Sequence, residues 1–222
     1  MRQPVNTAVN LLKWPMAVAM ILLVVPALPT LARVAWHVGR HPKPWLPLWL
    51  GLAVFVALWW LQLRRSGSKS WLYTLEHELT HALFAVLTLN RVTSLSAQQG
   101  SGHLAYEGPG NWLVSLSPYF FPAFCVLPLL ALQVAGPAAQ PPLLGLLGLT
   151  LGLHIHATWL ETHLQQTDLQ NHGQLASACI LPGAMLMSLL GVVAAVPGQY
   201  SMVATAWLAS VRQLRGLISM WS

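Results

Sequence analysis

Two histidines and a glutamate inside an apolar stretch have the spacing of a metal site. They form the run His77-Glu78-Leu79-Thr80-His81, which fits the pattern H-E-x-x-H. Residues i and i+4 share one face of a helix, so both imidazoles can bind one Zn²⁺. Glu78 follows His77 directly, where its carboxylate can take a proton from a water that the metal activates. The run therefore predicts a hydrolytic zinc site with His77 and His81 as ligands and Glu78 as general base.

The apolar surroundings of this run strengthen the prediction. Two histidines and two glutamates, Glu76 and Glu78, fall within one apolar stretch. Burying these groups costs several kcal/mol unless they are paired or bind a metal. Glu76 lies about 100° around the helix from His77, so we expect it to orient a ligand or a neighbouring group rather than to coordinate.

A third protein ligand is needed, because zinc hydrolases use three and leave the fourth position open. The candidates lie in one later stretch: His154, His156, Glu161, His163 and Asp168. His154 and His156 point to nearly opposite sides of a helix, so they cannot serve one metal together. Asp168 is the only aspartate, and it falls where the apolar pattern gives way to Gln, Thr and Asn. The residues alone leave Asp168, His156, His163 and Glu161 open.

The composition requires that this chemistry take place in a membrane protein. The 222 residues are 55% hydrophobic and 7% charged, with 11 Lys+Arg, 5 Asp+Glu and a formal net charge of +6. Soluble domains carry about 25% charged residues, so an ordinary cytosolic enzyme, a disordered chain and a basic nucleic-acid reader are excluded. The two cysteines, Cys125 and Cys179, lie in apolar runs and form no disulfide framework.

Six stretches approach the roughly 20 apolar residues that a bilayer crossing needs. They are Trp14–Leu31, Trp45–Leu63, Trp71–Leu89, Trp112–Val134, Leu143–Leu160 and Leu175–Val196. The first stretch exceeds the usual 7–15 apolar residues of a signal peptide, so we expect a retained helix rather than a sequence cleaved near Ala32. Residues 91–107 predict a β-hairpin around a Gly-containing turn. Residues 200–222 predict an amphipathic helix, either interfacial or packed on the protein.

These segments predict an all-α polytopic membrane protein of about six transmembrane helices. A small β-hairpin follows the H-E-x-x-H helix, and an amphipathic helix ends the chain. We divide the chain into two N-terminal transmembrane helices (1–69), a membrane core (70–196) and the C-terminal helix (197–222). One side holds seven positive charges, including Arg64, Arg65 and Lys69, and the other holds four. The positive-inside rule then puts both termini in the cytoplasm.

On these motifs the chain resembles the site-2 protease family of intramembrane zinc metalloproteases, particularly its small members without a PDZ domain. The likeness covers about residues 71–196. In that family H-E-x-x-H lies in a membrane helix, a β-hairpin follows, and a later span supplies an aspartate as third zinc ligand. His77, Glu78 and His81 match the first motif, and Asp168 takes the place of the aspartate. The resemblance implies one zinc per chain and a multi-pass protein of a bacterial inner (cell) membrane.

The second motif departs from the family pattern, which has Asn and Pro before the aspartate and Gly after it. Here Gln166 and Thr167 precede Asp168, and Leu169 follows. His156, Glu161 and His163 are candidate substitutes for the substrate-holding Asn. If the fifth span runs straight from Leu143, the residue of that span at the same membrane depth as the H-E-x-x-H run is near His154. Asp168 therefore reaches the zinc only if that span is tilted, unwound or begins deeper.

The function that the resemblance implies is hydrolysis of peptide bonds in transmembrane substrates. A helical substrate must unwind before attack, and the edge of the hairpin could hold the unwound segment by β-augmentation. The expected partners are a single-span membrane protein and the bilayer, with no nucleic acid. A zinc or other divalent-metal transporter is an alternative. Some transport helices carry the motif H-E-x-P-H, although the run at residues 77–81 lacks its Pro. A haem-binding subunit with axial histidine pairs is a third.

Overall fold

The computed structural model of the chain describes residues 2–63, 70–163 and 165–220. Its helices in chain order are α1 (Arg2–Leu11), α2 (Lys13–Arg40), α3 (Pro42–Leu58), α4 (Trp71–Leu87), α5 (Trp112–Leu116), α6 (Ala123–Val134), α7 (Gln140–Glu161), α8 (Thr167–Asn171), α9 (Gln174–Ala195) and α10 (Tyr200–Ser219). A π-helical turn at Trp59–Leu63 continues α3, and a 3-10 turn at Ser117–Tyr119 follows α5. The predicted all-α polytopic architecture is confirmed.

Four of the helices are long and apolar enough to cross a membrane: α2, α3 with its continuation, α7 and α9. The segment Trp112–Tyr119 with α6 adds a fifth crossing if it is one span bent by 77°. Helix α4 has 17 residues and buries polar groups, so it is shorter than the roughly 20 residues of a full crossing. All six predicted stretches are therefore helical, and four or five of them qualify as spans by length and composition.

The hairpin that the sequence predicts is present. Strand β1 (Arg91–Gln98) pairs antiparallel with β2 (Ser101–Glu107), with Gln98 opposite Ser101 and Arg91 opposite Glu107. Gly100 has φ 82° in the turn, a conformation that glycine adopts without the steric cost of a Cβ. The pair packs on α4, which places the start of β2, at Gly102, beside Glu78 of the H-E-x-x-H helix.

Close helix contacts set the position of α7. A Cβ on Gly148 of α7 would overlap the backbone carbonyl of Leu48 in α3. A Cβ on Gly51 of α3 would likewise overlap the backbone carbonyl of Gly145 in α7. Small residues of this kind let the backbones of membrane helices approach. The contact holds α7 against α3, and α7 ends at Glu161, which contacts His77 of α4.

The C-terminal helix α10 packs against α2. Thr30 of α2 donates a hydrogen bond to the Ser210 hydroxyl at 3.1 Å, and both residues are fully buried. Arg33 donates to the Gln213 side chain at 2.7 Å. Of the two interpretations of this segment, these contacts favour packing on the protein. The orientation argument depends in part on Arg64, Arg65 and Lys69, which lie outside the described residues.

Candidate metal centre

Three side chains from two distant parts of the chain bring their ligand atoms together. His77 Nε2 lies 3.0 Å from His81 Nε2, and both nitrogens lie 3.3 Å from Asp168 Oδ2. Among the described residues, these three form the one group of His, Cys, Asp and Glu donors placed to hold a metal ion. The sequence candidates His77, His81 and Asp168 thus meet at one point.

The spacing of the three atoms suits a tetrahedral zinc site. Zinc bonds to histidine nitrogen and carboxylate oxygen are about 2.0–2.2 Å long, which puts neighbouring tetrahedral ligands roughly 3.3–3.5 Å apart. The observed separations of 3.0 to 3.3 Å are close to that edge length. The residues therefore fit the metal, and all three line the cavity described below.

Both histidines are oriented through their other ring nitrogen. His77 Nδ1 donates to Glu161 Oε2 at 2.7 Å, and His81 Nδ1 donates to the Val114 carbonyl at 2.8 Å. A proton held on Nδ1 leaves Nε2 of a neutral imidazole as an acceptor. Two nitrogen lone pairs and a carboxylate oxygen then face one another, and a cation between them satisfies all three. Metal-ligating histidines usually have such partners.

Asp168 reaches the histidines because the chain leaves the helical path after α7. Helix α7 ends at Glu161, and α8 begins at Thr167. Tyr119, 1% exposed, donates a hydrogen bond to Asp168 Oδ2 at 3.2 Å. The depth problem is resolved by the break between α7 and α8.

The other third-ligand candidates lie elsewhere. Glu161 binds His77 Nδ1 rather than facing the gap between the ligands. His156 accepts or donates a 3.0 Å hydrogen bond with the Tyr73 hydroxyl and contacts the rings of Phe55 and Trp59. His163 lines the cavity but is not part of the ligand group.

Glu76 pairs with a neighbour on another helix. Its Oε1 lies 3.2 Å from Nδ1 of His154, and both side chains are buried. Neither residue belongs to the ligand group, and the role of Glu76 in orienting a ligand or a neighbouring group stays a prediction.

Glu78 faces a polar cavity of about 580 Å³ that also contains the three candidate ligands. The cavity is closed on one side by the turn end of the hairpin, including Gly100, Ser101 and Gly102. A Cβ on Gly102 would overlap the Glu78 side chain, so the strand backbone passes directly over the carboxylate. Glu78 therefore has access to the same space as the ligand atoms without belonging to the ligand group.

Three supporting groups were missed at the level of sequence: Tyr119, the Val114 carbonyl and Asn111. Asn111 caps α5, because its Oδ1 accepts a hydrogen bond from the Val114 amide at 3.1 Å. An Asn directly before an apolar run is a recognisable helix-start signal. The roles of Tyr119 and the Val114 carbonyl depend on contacts with Asp168 and His81, which lie 49 and 33 residues away in the chain, so no local pattern indicates them.

Comparison with known proteins places the chain in a family. A family model described as Peptidase M50B-like matches residues 48–162, just over half of the chain. The match includes His77, Glu78, His81 and Glu161 and ends before Asp168. No curated protein and no solved structure matches the chain. The chain is therefore a multi-pass membrane protein of the Peptidase M50B-like family, a member of the site-2 protease type of metallopeptidase.

Proposed function

We propose that this protein is an intramembrane zinc metalloprotease that hydrolyses peptide bonds of transmembrane substrates. The observation that carries the proposal is the meeting of His77 Nε2, His81 Nε2 and Asp168 Oδ2 within 3.3 Å of one another. Glu78 opens into the same cavity. Two neutral imidazoles and one carboxylate, with a free carboxylate nearby, form the set of groups that zinc hydrolases use.

His77, His81 and Asp168 would hold the ion, and Asp168 offsets half of its charge in a low-dielectric site. When bound, zinc would lower the pKa of a water toward about 7 and polarise the substrate carbonyl. Glu78 takes the proton of the attacking water and later delivers it to the leaving amine. Glu161 and the Val114 carbonyl hold the two imidazoles in the required orientation throughout.

The hairpin offers a way to hold the substrate in an extended form. Strand β2 pairs with β1 along one edge and, among the described residues, with no strand along the other. Its first residues, Ser101 to Leu104, line the cavity with Glu78. An extended peptide added along β2 would bring its carbonyls beside that carboxylate. We therefore propose unwound segments of single-span membrane proteins as the substrate class.

A Glu78→Gln variant tests the proposal. The purified wild-type and variant proteins are reconstituted with single-span reporter proteins, and cleavage and zinc content are measured. We expect the wild type to carry about one zinc and to cleave, and Glu78→Gln to keep zinc while cleavage falls by at least about 100-fold. A His77→Ala control should lose both. Cleavage that survives in Glu78→Gln, or a wild type that binds no zinc, would contradict the proposed function.

A further inference from the structure

The first helix makes buried contacts that the proposed chemistry does not explain. Asn6 of α1 is fully buried, although α1 lies far from the H-E-x-x-H helix in sequence. It lies against Asn90, which precedes β1, and Asn111, which precedes α5; these two are 4% and 0% exposed. Three buried amides from three separate segments are costly to gather unless they satisfy one another.

Hydrogen bonds join the three asparagines. Asn6 Nδ2 donates to Asn90 Oδ1 at 2.7 Å, and Asn90 Nδ2 donates back to Asn6 Oδ1 at 3.1 Å. Asn111 Nδ2 donates to the same Asn6 oxygen at 2.6 Å. Asn6 therefore joins the base of the hairpin to the start of α5.

The path from Asn6 to a candidate ligand is short. The side-chain oxygen of Asn111, Oδ1, accepts a hydrogen bond from the backbone N–H of Val114 at 3.1 Å. The carbonyl of the same residue, Val114, accepts the hydrogen bond from His81 Nδ1 at 2.8 Å. The α1 side chain thus holds the residue that orients one of the two imidazoles.

A second set of contacts from the same end of the chain reaches the segment that carries Asp168. Lys13, at the start of α2, donates to the His172 carbonyl at 3.1 Å, and the His172 ring bonds Ser115 Oγ at 3.0 Å. Burial and the nearby charge of Lys13 lower the pKa of His172, which keeps the ring neutral at pH 7. His172 directly follows α8, the helix that contains Asp168.

We propose that α1 is a positioning element of the metal centre, in which Asn6 fixes the orientation of His81 through Asn111 and Val114. This inference rests on the proposed zinc site. Partners one step removed from a ligand typically change metal affinity by about 10–100-fold. Cleavage near Ala32, the alternative that the sequence left open, would remove α1 and with it these partners of Asn90 and Asn111. The family match begins at residue 48 and does not include α1.

Two variants and one control test the role of Asn6. Asn6→Ala removes the link, and Asn111→Ser keeps a helix-capping oxygen but loses the amide that reaches Asn6. Thr30→Val is the control, because Thr30 is equally buried and its hydrogen bond to Ser210 lies between α2 and α10. The zinc dissociation constant of each full-length, folded protein is measured by competition with a chelator, together with the melting temperature of the metal-free form.

We expect Asn6→Ala and Asn111→Ser to weaken zinc binding by about 10–100-fold. Because both act through one link, the double variant should bind zinc as tightly as the single variant with the lower affinity. Thr30→Val should keep wild-type affinity even if its melting temperature falls. Wild-type zinc affinity in folded Asn6→Ala would overturn the inference; if that variant does not fold, wild-type affinity in Asn111→Ser overturns it. A wild type that binds no zinc would instead overturn the proposed function and this inference with it.

Discussion

Each candidate ligand depends on one further group that the H-E-x-x-H pattern does not contain. His77 relies on Glu161, His81 on the Val114 carbonyl, and Asp168 on the Tyr119 hydroxyl. Such partners fix the tautomer of an imidazole and the direction of a carboxylate, so they contribute to metal affinity without touching the metal. At the scale of single residues, the site is therefore a set of three supported ligands.

Removal of the Tyr119 hydroxyl should weaken the site without dismantling it. In Tyr119→Phe, Asp168 loses the donor that lies 3.2 Å from its Oδ2, and we expect zinc affinity to fall by about 10–100-fold. Tyr73→Phe is the matched control, because Tyr73 is equally buried and its hydroxyl bonds His156, away from the ligands. Chelator competition measures both; equal affinities in the two variants would contradict the role given to Tyr119.

Asp168 should be the third ligand, as the resemblance and the geometry both favour. Asp168→Ala leaves two imidazoles and no charge to offset the ion, so we expect zinc affinity to fall by more than about 100-fold and cleavage to be lost. His163→Ala removes an imidazole that lines the same cavity outside the ligand group and should leave zinc bound. Metal analysis of the purified proteins compares them, and the reverse pattern would reassign the ligand.

At the scale of elements, the sequence predicted the helices and strands whose residue pattern lies within one segment of the chain. The H-E-x-x-H helix, the hairpin at residues 91–107 and the long apolar helices each follow from a pattern within one segment, and each is present. The short α1 was not predicted, because its contacts are more than 80 residues away in the chain, as for Asn6 with Asn90 and Asn111. The bend after α5 was not predicted either. Asp168 could be named as a candidate ligand because it is the only aspartate. Its approach to His77 and His81 could not be predicted from the sequence.

The α3–α7 contact gives a prediction at this scale. Gly148→Ala places a methyl group against the Leu48 backbone carbonyl, so we expect destabilisation by about 1–3 kcal/mol and a shift of the end of α7 that carries Glu161. Gly191→Ala in α9 is the control, since a Cβ there meets nothing within 4 Å and alanine favours a helix by up to about 1 kcal/mol. Thermal unfolding in detergent compares them; equal stability would contradict the close packing.

For the whole molecule, the arrangement predicts that the metal is needed for catalysis and not for folding. The ligands are held by helix α4, by the capped start of α5 and by the contacts of Tyr119, Lys13 and Ser115, all of which join protein groups to one another. Chelation should therefore abolish cleavage and leave the helical content unchanged. The free energy of unfolding should fall by the contribution of zinc binding alone, about 4 kcal/mol when free zinc is 1,000 times the dissociation constant, and the melting temperature should fall accordingly.

Circular dichroism and an activity assay before chelation, after it and after return of zinc measure this directly. We expect activity to recover fully when zinc is returned, because the ligand geometry is maintained by protein contacts. A structural zinc site behaves differently, since its metal supplies the folding free energy and chelators unfold the protein. Loss of helical content on chelation at 25 °C would therefore show that the ion organises the fold, and the supporting contacts of the three ligands would then be a consequence of metal binding rather than its cause.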